Sequence, residues 1–125
     1  MILALTSAGF FYMQPARAEE NILISQAQIS GGPGKTENDF IEIYNPNNSQ
    51  VNLKGYRLVK RTKTGATDTN IKSWTADAFI PANGYYLWAN SGYVDISATP
   101  DATTTATISD DNGLALRFGA VDSGA

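Results

Sequence analysis

The absence of cysteine and histidine from all 125 residues limits the chemistry that the side chains of this chain can perform. These two residues supply most thiol nucleophiles, thiolate metal ligands and general bases that work near neutral pH. Paired carboxylates remain, and Asp110-Asp111 is the densest pair. Asp residues before Asn112-Gly113 are typical of a turn, in which short acidic side chains accept hydrogen bonds from backbone amides. Calcium binding and catalysis are the less favoured alternatives. We predict no catalytic residue, metal ligand or cofactor.

Basic side chains are concentrated in one stretch, residues 54–72, which we call the basic segment. It holds six of the nine Lys and Arg residues, and the rings of Tyr56, near its start, and Trp74, just after its end, could stack on a base. Concentrated positive charge attracts polyanions such as DNA or an anionic envelope polymer. A solvated hairpin that binds nothing is the other interpretation, and the overall charge of −3 argues against a general phosphate-backbone binder. The candidate ligand-binding residues are Lys54, Arg57, Lys60, Arg61, Lys63, Lys72, Tyr56 and Trp74.

Aromatic residues are dense just after the basic segment. They are Trp74, Tyr85, Tyr86, Trp88 and Tyr93. Exposed rings can form a platform for carbohydrate, because the C–H faces of a sugar pack on them. Core packing is the favoured interpretation, because strand alternation sends at least half of these rings inward.

The elements that must position these side chains are short strands separated by turn signals. The run Phe40–Tyr44 is β-branched and aromatic, and it places Ile41 and Ile43 on one face. Asn83-Gly84 marks a turn between two further apolar runs. We predict strands over residues 22–29, 40–44, 51–59, 79–80 and 85–89, and the third either continues through Gly55 or bends there. Many short strands with turns between them are typical of an antiparallel sandwich or barrel.

The second half of the chain predicts a loop and a hairpin. Residues 60–73 are polar and predict a long exposed loop or hairpin tip, and residues 90–107 offer little to bury. Residues 107–109 and 114–118 flank Asp110–Gly113. Asn112-Gly113 favours a type I′ turn, so these two runs predict a hairpin.

The N-terminus has the features of an export signal. Residues 2–13 are nearly all apolar, and Ala16-Arg17-Ala18 places small residues three and one before a cleavage site. The apolar run is too short for a membrane-spanning helix, which needs about 20 residues. We expect residues 1–18 to be a signal peptide and residues 19–125 to be one exported domain, although no basic residue precedes the apolar run.

Three blocks of the sequence, in this order, resemble the lamin-tail domain family. The first is Asp39–Pro46, a strand that ends in Asn-Pro. The second is Val51–Leu58, in which Tyr56 stands where the family usually has Trp. The third is Phe79–Leu87, with Pro and Gly marking the turn.

The resemblance implies an all-β, immunoglobulin-like antiparallel β-sandwich. It also implies a non-catalytic binding or tethering module, cell-surface or accessory to a larger exported protein. The expected partner is a macromolecule: an envelope polymer, DNA or another protein. The chain looks cut before the last strand or strands of the family pattern, so we also expect self-association through an unpaired sheet edge.

Overall fold

The computed structural model describes residues 21–120, and this part of the chain is built from nine strands with no helix. The predicted signal peptide at 1–18 lies outside the described residues. The strands are β1 (Leu23–Gln28), β2 (Phe40–Tyr44), β3 (Val51–Asn52), β4 (Tyr56–Arg61), β5 (Thr69–Ser73), β6 (Phe79–Ile80), β7 (Tyr85–Asn90), β8 (Ala102–Thr104) and β9 (Gly113–Phe118).

The strands form two packed layers. One layer, which we call the first sheet, has the order β1-β2-β7-β8. The other layer contains β5-β4-β9 and the short pair β3-β6. All pairs are antiparallel except β7 with β8, which is parallel. The predicted all-β, immunoglobulin-like sandwich is therefore confirmed, with one parallel strand at its edge.

One hydrophobic core lies between the layers. Ile41 and Ile43 of β2 are fully buried, whereas Glu42 between them is not, as a period of two requires. Leu58 of β4 meets them from the opposite layer. Trp88 is also fully buried, and its indole N–H donates to Thr104 Oγ1 at 3.1 Å.

Strand β2 begins directly after a fully buried carboxylate. Asp39 Oδ1 accepts a hydrogen bond from the amide of Ser30 at 2.7 Å, and Oδ2 accepts one from the amide of Ile108 at 2.8 Å. The Asp39 carbonyl accepts from the amide of Asn90 at 3.0 Å. One residue therefore fixes the chain at three points far apart in sequence.

Strand β2 ends directly before a second fully buried polar residue, Asn45. Its Nδ2 donates to the carbonyls of Ser49 and Pro81, both at 2.9 Å. Its Oδ1 accepts from the amide of Asn47 at 2.9 Å, which closes the turn after β2. A buried amide that is hydrogen-bonded on both sides avoids the penalty of an unsatisfied polar group.

The run 51–59 bends into two strands that belong to different pairs. Gly55 has a φ of 91°, and its amide donates to the carbonyl of Trp74 at 2.8 Å. A side chain at this position would meet the ring of Phe118 at 3.0 Å. Glycine is required here because it accepts positive φ and leaves room for that ring.

The hairpin predicted across residues 107–118 is wrong. β9 pairs with β4, and residues 107–109 are not a strand. The Ile108 amide is bonded to Asp39, and its side chain is buried in the core, so long-range contacts hold this segment away from β9. Asn112 is not among the described residues with positive φ; its Oδ1 accepts from the amide of Ser109 instead.

Of the two alternatives predicted for residues 60–73, the hairpin tip is confirmed for residues 62–68 and the long exposed loop is wrong. β4 continues to Arg61, and β5 pairs with it. Ile71 provides the reason, because this single apolar residue is buried in the core among polar neighbours. Residues 90–107, in which the sequence offers little to bury, also contain a strand: β8 pairs with β7 and forms one edge of the first sheet.

We predict that Asn45→Ala lowers the free energy of unfolding by about 2–3 kcal/mol, because it removes the donor that the carbonyls of Ser49, Ile80 and Pro81 share at a buried site. Urea denaturation measures this as a lower midpoint with an unchanged slope. Asn48→Ala is the matched control, since Asn48 is exposed in the same turn. Equal effects of the two variants would contradict the role assigned to Asn45.

Candidate functional site

The alternation of β4 separates the basic segment into different faces. Residues paired across β4 and β9 share a face, and Leu58 with its partner Leu116 faces the core. Lys60 lies on this same side, at the end of the strand, where its ammonium donates to the carbonyl of Thr107. Arg61 points to the opposite, outer face. The strand therefore does not present its basic residues as one patch.

Arg57 and Trp74 are almost completely buried. Arg57 is 6% exposed, and its Nε donates to the carbonyl of Gly119 at 2.8 Å. Trp74 is 5% exposed; its indole N–H donates to the hydroxyl of Tyr86 at 3.2 Å, and the two rings meet edge to face at 5.6 Å. In this structure neither side chain presents a surface to a polymer.

The remaining candidate residues lie apart from one another. Lys54 and Lys63 are both exposed, but they lie beyond opposite ends of β4. A six-residue strand is about 20 Å long, so one small ligand does not reach both. Lys72 lies half-exposed on β5, and half-buried Tyr56 packs edge to face on Phe118 at 4.9 Å.

The fold adds an arginine that sequence reasoning missed. Arg117 on β9 lies opposite Arg57 on β4. Its Nε donates to Asp68 Oδ2 at 3.1 Å, while Arg61 Nη2 contacts Asp68 Oδ1 at 2.7 Å. One carboxylate thus bridges two arginines on the outer face of β4 and β9. The alternation of apolar residues along Leu114–Phe118 was the only sequence signal that could have placed Arg117 on the face away from the core.

These side chains line a shallow depression on that outer face, of about 190 Å³, which we call the arginine face. Val59 and Ala115 form its apolar floor, and Arg61, Asp68 and Arg117 stand around it. Partial burial raises the pKa of Asp68, but the hydrogen bond from Arg61 and the charges of Arg61 and Arg117 outweigh this effect. The pKa is therefore held below its ordinary value.

Outside the arginine face, the acidic residues of the described part of the chain form no cluster that could hold a metal ion. Asp110 and Asp111 are exposed, and Asp111 Oδ1 accepts from Asn112 Nδ2 at 3.1 Å. Among residues 21–120, no group of three or more Asp or Glu side chains could hold a metal ion. No helix in the same range is long and apolar enough to cross a membrane.

The aromatic residues divide between the core and the surface. Trp74 and Trp88 are core residues, and Tyr86 packs against the same core. Tyr85, by contrast, is 58% exposed on the outer face of the first sheet. At 4.9 Å its ring lies against that of Tyr44.

Comparison with known proteins identifies one family. The family model described as Lamin Tail Domain matches residues 15–120, which is most of the chain. No curated protein matches the sequence significantly. The match confirms the resemblance carried by the three sequence blocks, and the family is one of non-enzymatic, immunoglobulin-like domains.

We predict that Asp68→Asn makes the free energy of unfolding depend less on pH in the acidic range. A carboxyl whose pKa is lowered in the folded state stabilises the fold above its unfolded pKa, and this contribution is lost as pH falls through the folded pKa. Between about pH 6 and pH 2 the variant should therefore lose less stability than the parent.

Thermal melts across this pH range measure the difference. Asp110→Asn is the matched control, because it removes the same charge from an exposed position that forms no ion pair among the described residues. A variant profile that runs parallel to the parent's would contradict a stabilising role for the Asp68 bridge.

Proposed function

The chain belongs to the lamin tail domain family, and we propose that it is a non-catalytic binding or tethering module that works outside the cytoplasm. Its partner would be a macromolecule: an envelope polymer, DNA or another protein. The chain would act at the cell surface or as an accessory part of a larger exported protein.

One observation carries the non-catalytic part of the proposal. Two carboxylates with low exposure have structural partners: Asp39 binds two backbone amides, and Asp68 binds two arginines. Among residues 21–120, no buried side-chain N or O atom lacks a hydrogen-bond partner. A catalytic group needs a free lone pair or proton near its substrate, so these arrangements favour surface recognition.

Export is supported by the N-terminal sequence. When the full chain is produced in a bacterial host, we expect cleavage after Ala18 and a secreted or envelope-bound product that begins Glu19-Glu20-Asn21. Intact-mass and N-terminal sequencing of the fractionated cells measure this. The matched variant Ala18→Arg places a large charged residue at the cleavage site and should block processing. A chain recovered in the cytoplasm with residues 1–18 intact would contradict export.

A second candidate function is polyanion binding, and the arginine face favours it. Sequence-distant Arg61 and Arg117 both donate to Asp68 there, and exposed Lys63 lies two residues after Arg61 in the chain. Arg57 and Trp74 are buried, so fewer residues would contact a polyanion than the sequence predicts. Asp68 offsets part of the positive charge, which suits a weak, salt-sensitive contact with phosphates or other anionic groups.

We predict that DNA binding, if this is the ligand, weakens steeply with salt and falls about tenfold in the double variant Arg61→Gln/Lys63→Gln, with a reduced salt slope. Fluorescence anisotropy with a labelled duplex measures both. Lys35→Gln is the matched control, because it removes a positive charge from an exposed loop outside the basic segment. Unchanged affinity in the double variant would contradict this function.

The same samples test two related expectations. DNA recovered uncut agrees with the absence of catalysis. Sedimentation of the free chain reports self-association, for which the outer edge of β9 is the candidate, because β9 pairs only with β4 among the described strands.

A further inference from the structure

The outer face of the first sheet is chemically unlike the arginine face. None of its four strands contains Lys or Arg. Its outward side chains are aromatic, apolar, amide, hydroxyl or acidic. Like-charge repulsion therefore disfavours polyanions on this side of the sandwich.

An aromatic platform lies at one end of this face. Leu23, Tyr44 and Tyr85 are direct partners across β1, β2 and β7, so their side chains form one row. The rings of Tyr44 and Tyr85 lie 4.9 Å apart with an angle of 33° between their planes. Leu23 and Tyr85 are each more than half exposed. The row presents a continuous apolar surface to solvent.

Polar groups occupy the next row. Gln26, Glu42 and Leu87 are direct partners, two residues along each of β2 and β7 from the platform. Glu42 Oε1 accepts from the hydroxyl of Ser25 at 2.7 Å, which orients the carboxylate and leaves its other oxygen for a further donor. Amide, carboxylate and hydroxyl groups of this kind hydrogen-bond to ligand hydroxyls.

A pocket of about 210 Å³ begins at this row, because Gln26, Glu42 and Leu87 are among the residues that line it. Phe40 and Tyr93 form one side with ring centroids 6.4 Å apart, and the Gln28 amide donates to the Tyr93 hydroxyl at 2.9 Å. Asp95 and Ser97 contribute polar groups from the loop after β7. Phe40 lies four residues before Tyr44, so the two aromatic ends of this face are about 13 Å apart along β2, and the pocket extends between them as far as Glu42.

We propose that this outer face binds a neutral oligosaccharide, an inference that names the ligand class of the proposed binding module and rests on that function. The C–H faces of one sugar unit would pack on Tyr44 and Tyr85, and a second unit would enter the pocket beside Phe40. Hydroxyl groups between them would bond to Glu42 and Gln26. The face combines aromatic rings with groups that hydrogen-bond to hydroxyls, and its four strands carry no Lys or Arg. These properties favour a neutral, hydroxyl-rich polymer over a polyanion.

Native gel electrophoresis of the full chain tests this, with soluble β-glucan, galactomannan or hydroxyethylcellulose included in the gel. Tryptophan fluorescence is an unsuitable readout, because both Trp side chains lie in the core. We expect at least one polymer to retard the chain, and Tyr85→Ala to weaken that binding about tenfold, or about 1.4 kcal/mol. The polymer should be recovered at full length.

Phe79→Ala is the matched control, since Phe79 is 48% exposed on a strand of the opposite layer. It should leave retardation unchanged. Equal loss in Phe79→Ala and Tyr85→Ala, or no retardation by any of the three polymers, overturns the proposal.

Glu42→Gln separates a sugar from a cation as the ligand. The amide keeps an acceptor and removes the charge, so sugar binding should fall by less than about tenfold and stay insensitive to salt. Complete, salt-dependent loss would show that binding depends on the charge of Glu42 and would overturn recognition of a neutral saccharide by hydroxyl contacts. The DNA and processing experiments remain independent, so a failure here is distinguishable from a failure of the binding module itself.

Discussion

The fold depends on one strand, β2, whose two ends are held by fully buried polar side chains. Asp39 before it and Asn45 after it have no exposed surface, and each bonds to backbone from distant segments. Between them, Ile41 and Ile43 enter the core. Burying a carboxylate and an amide without hydrogen-bond partners would cost several kcal/mol. The loops that supply those partners are therefore held in place by the same hydrogen bonds.

The sandwich divides its two outer faces by charge. The arginine face on β4 and β9 brings Arg61 and Arg117 around Asp68, while the first sheet has no Lys or Arg in any strand. A lamin tail domain of this kind offers two distinct surfaces on one small core. The two candidate ligand classes, an anionic polymer and a neutral saccharide, therefore do not compete for the same residues.

Long-range contacts explain why two predictions from local sequence patterns were wrong. Thr107–Ser109 and Leu114–Phe118 have the composition of a hairpin, yet the Ile108 amide is bound by Asp39, 69 residues earlier in the chain. The polar run after Arg61 contains one apolar residue, Ile71, and its burial makes a strand of a segment that composition alone assigns to a loop. Such contacts are invisible to any window of neighbouring residues.

Alternation, turn chemistry and backbone sterics act over a few residues, and they predicted short antiparallel strands, the limits of β2 and Gly55 as a place where a strand could bend. The immunoglobulin-like fold and the family came instead from the resemblance of three sequence blocks, which the family match confirms. Which of the candidate side chains share a surface depends on how the strands pair and pack. Alternation along β4, pairing with β9 and burial under neighbouring loops removed Arg57 and Trp74 from the surface and brought Arg117 to Asp68. The physical reason is that a ligand site depends on distances between residues far apart in the chain, and strand pairing sets those distances.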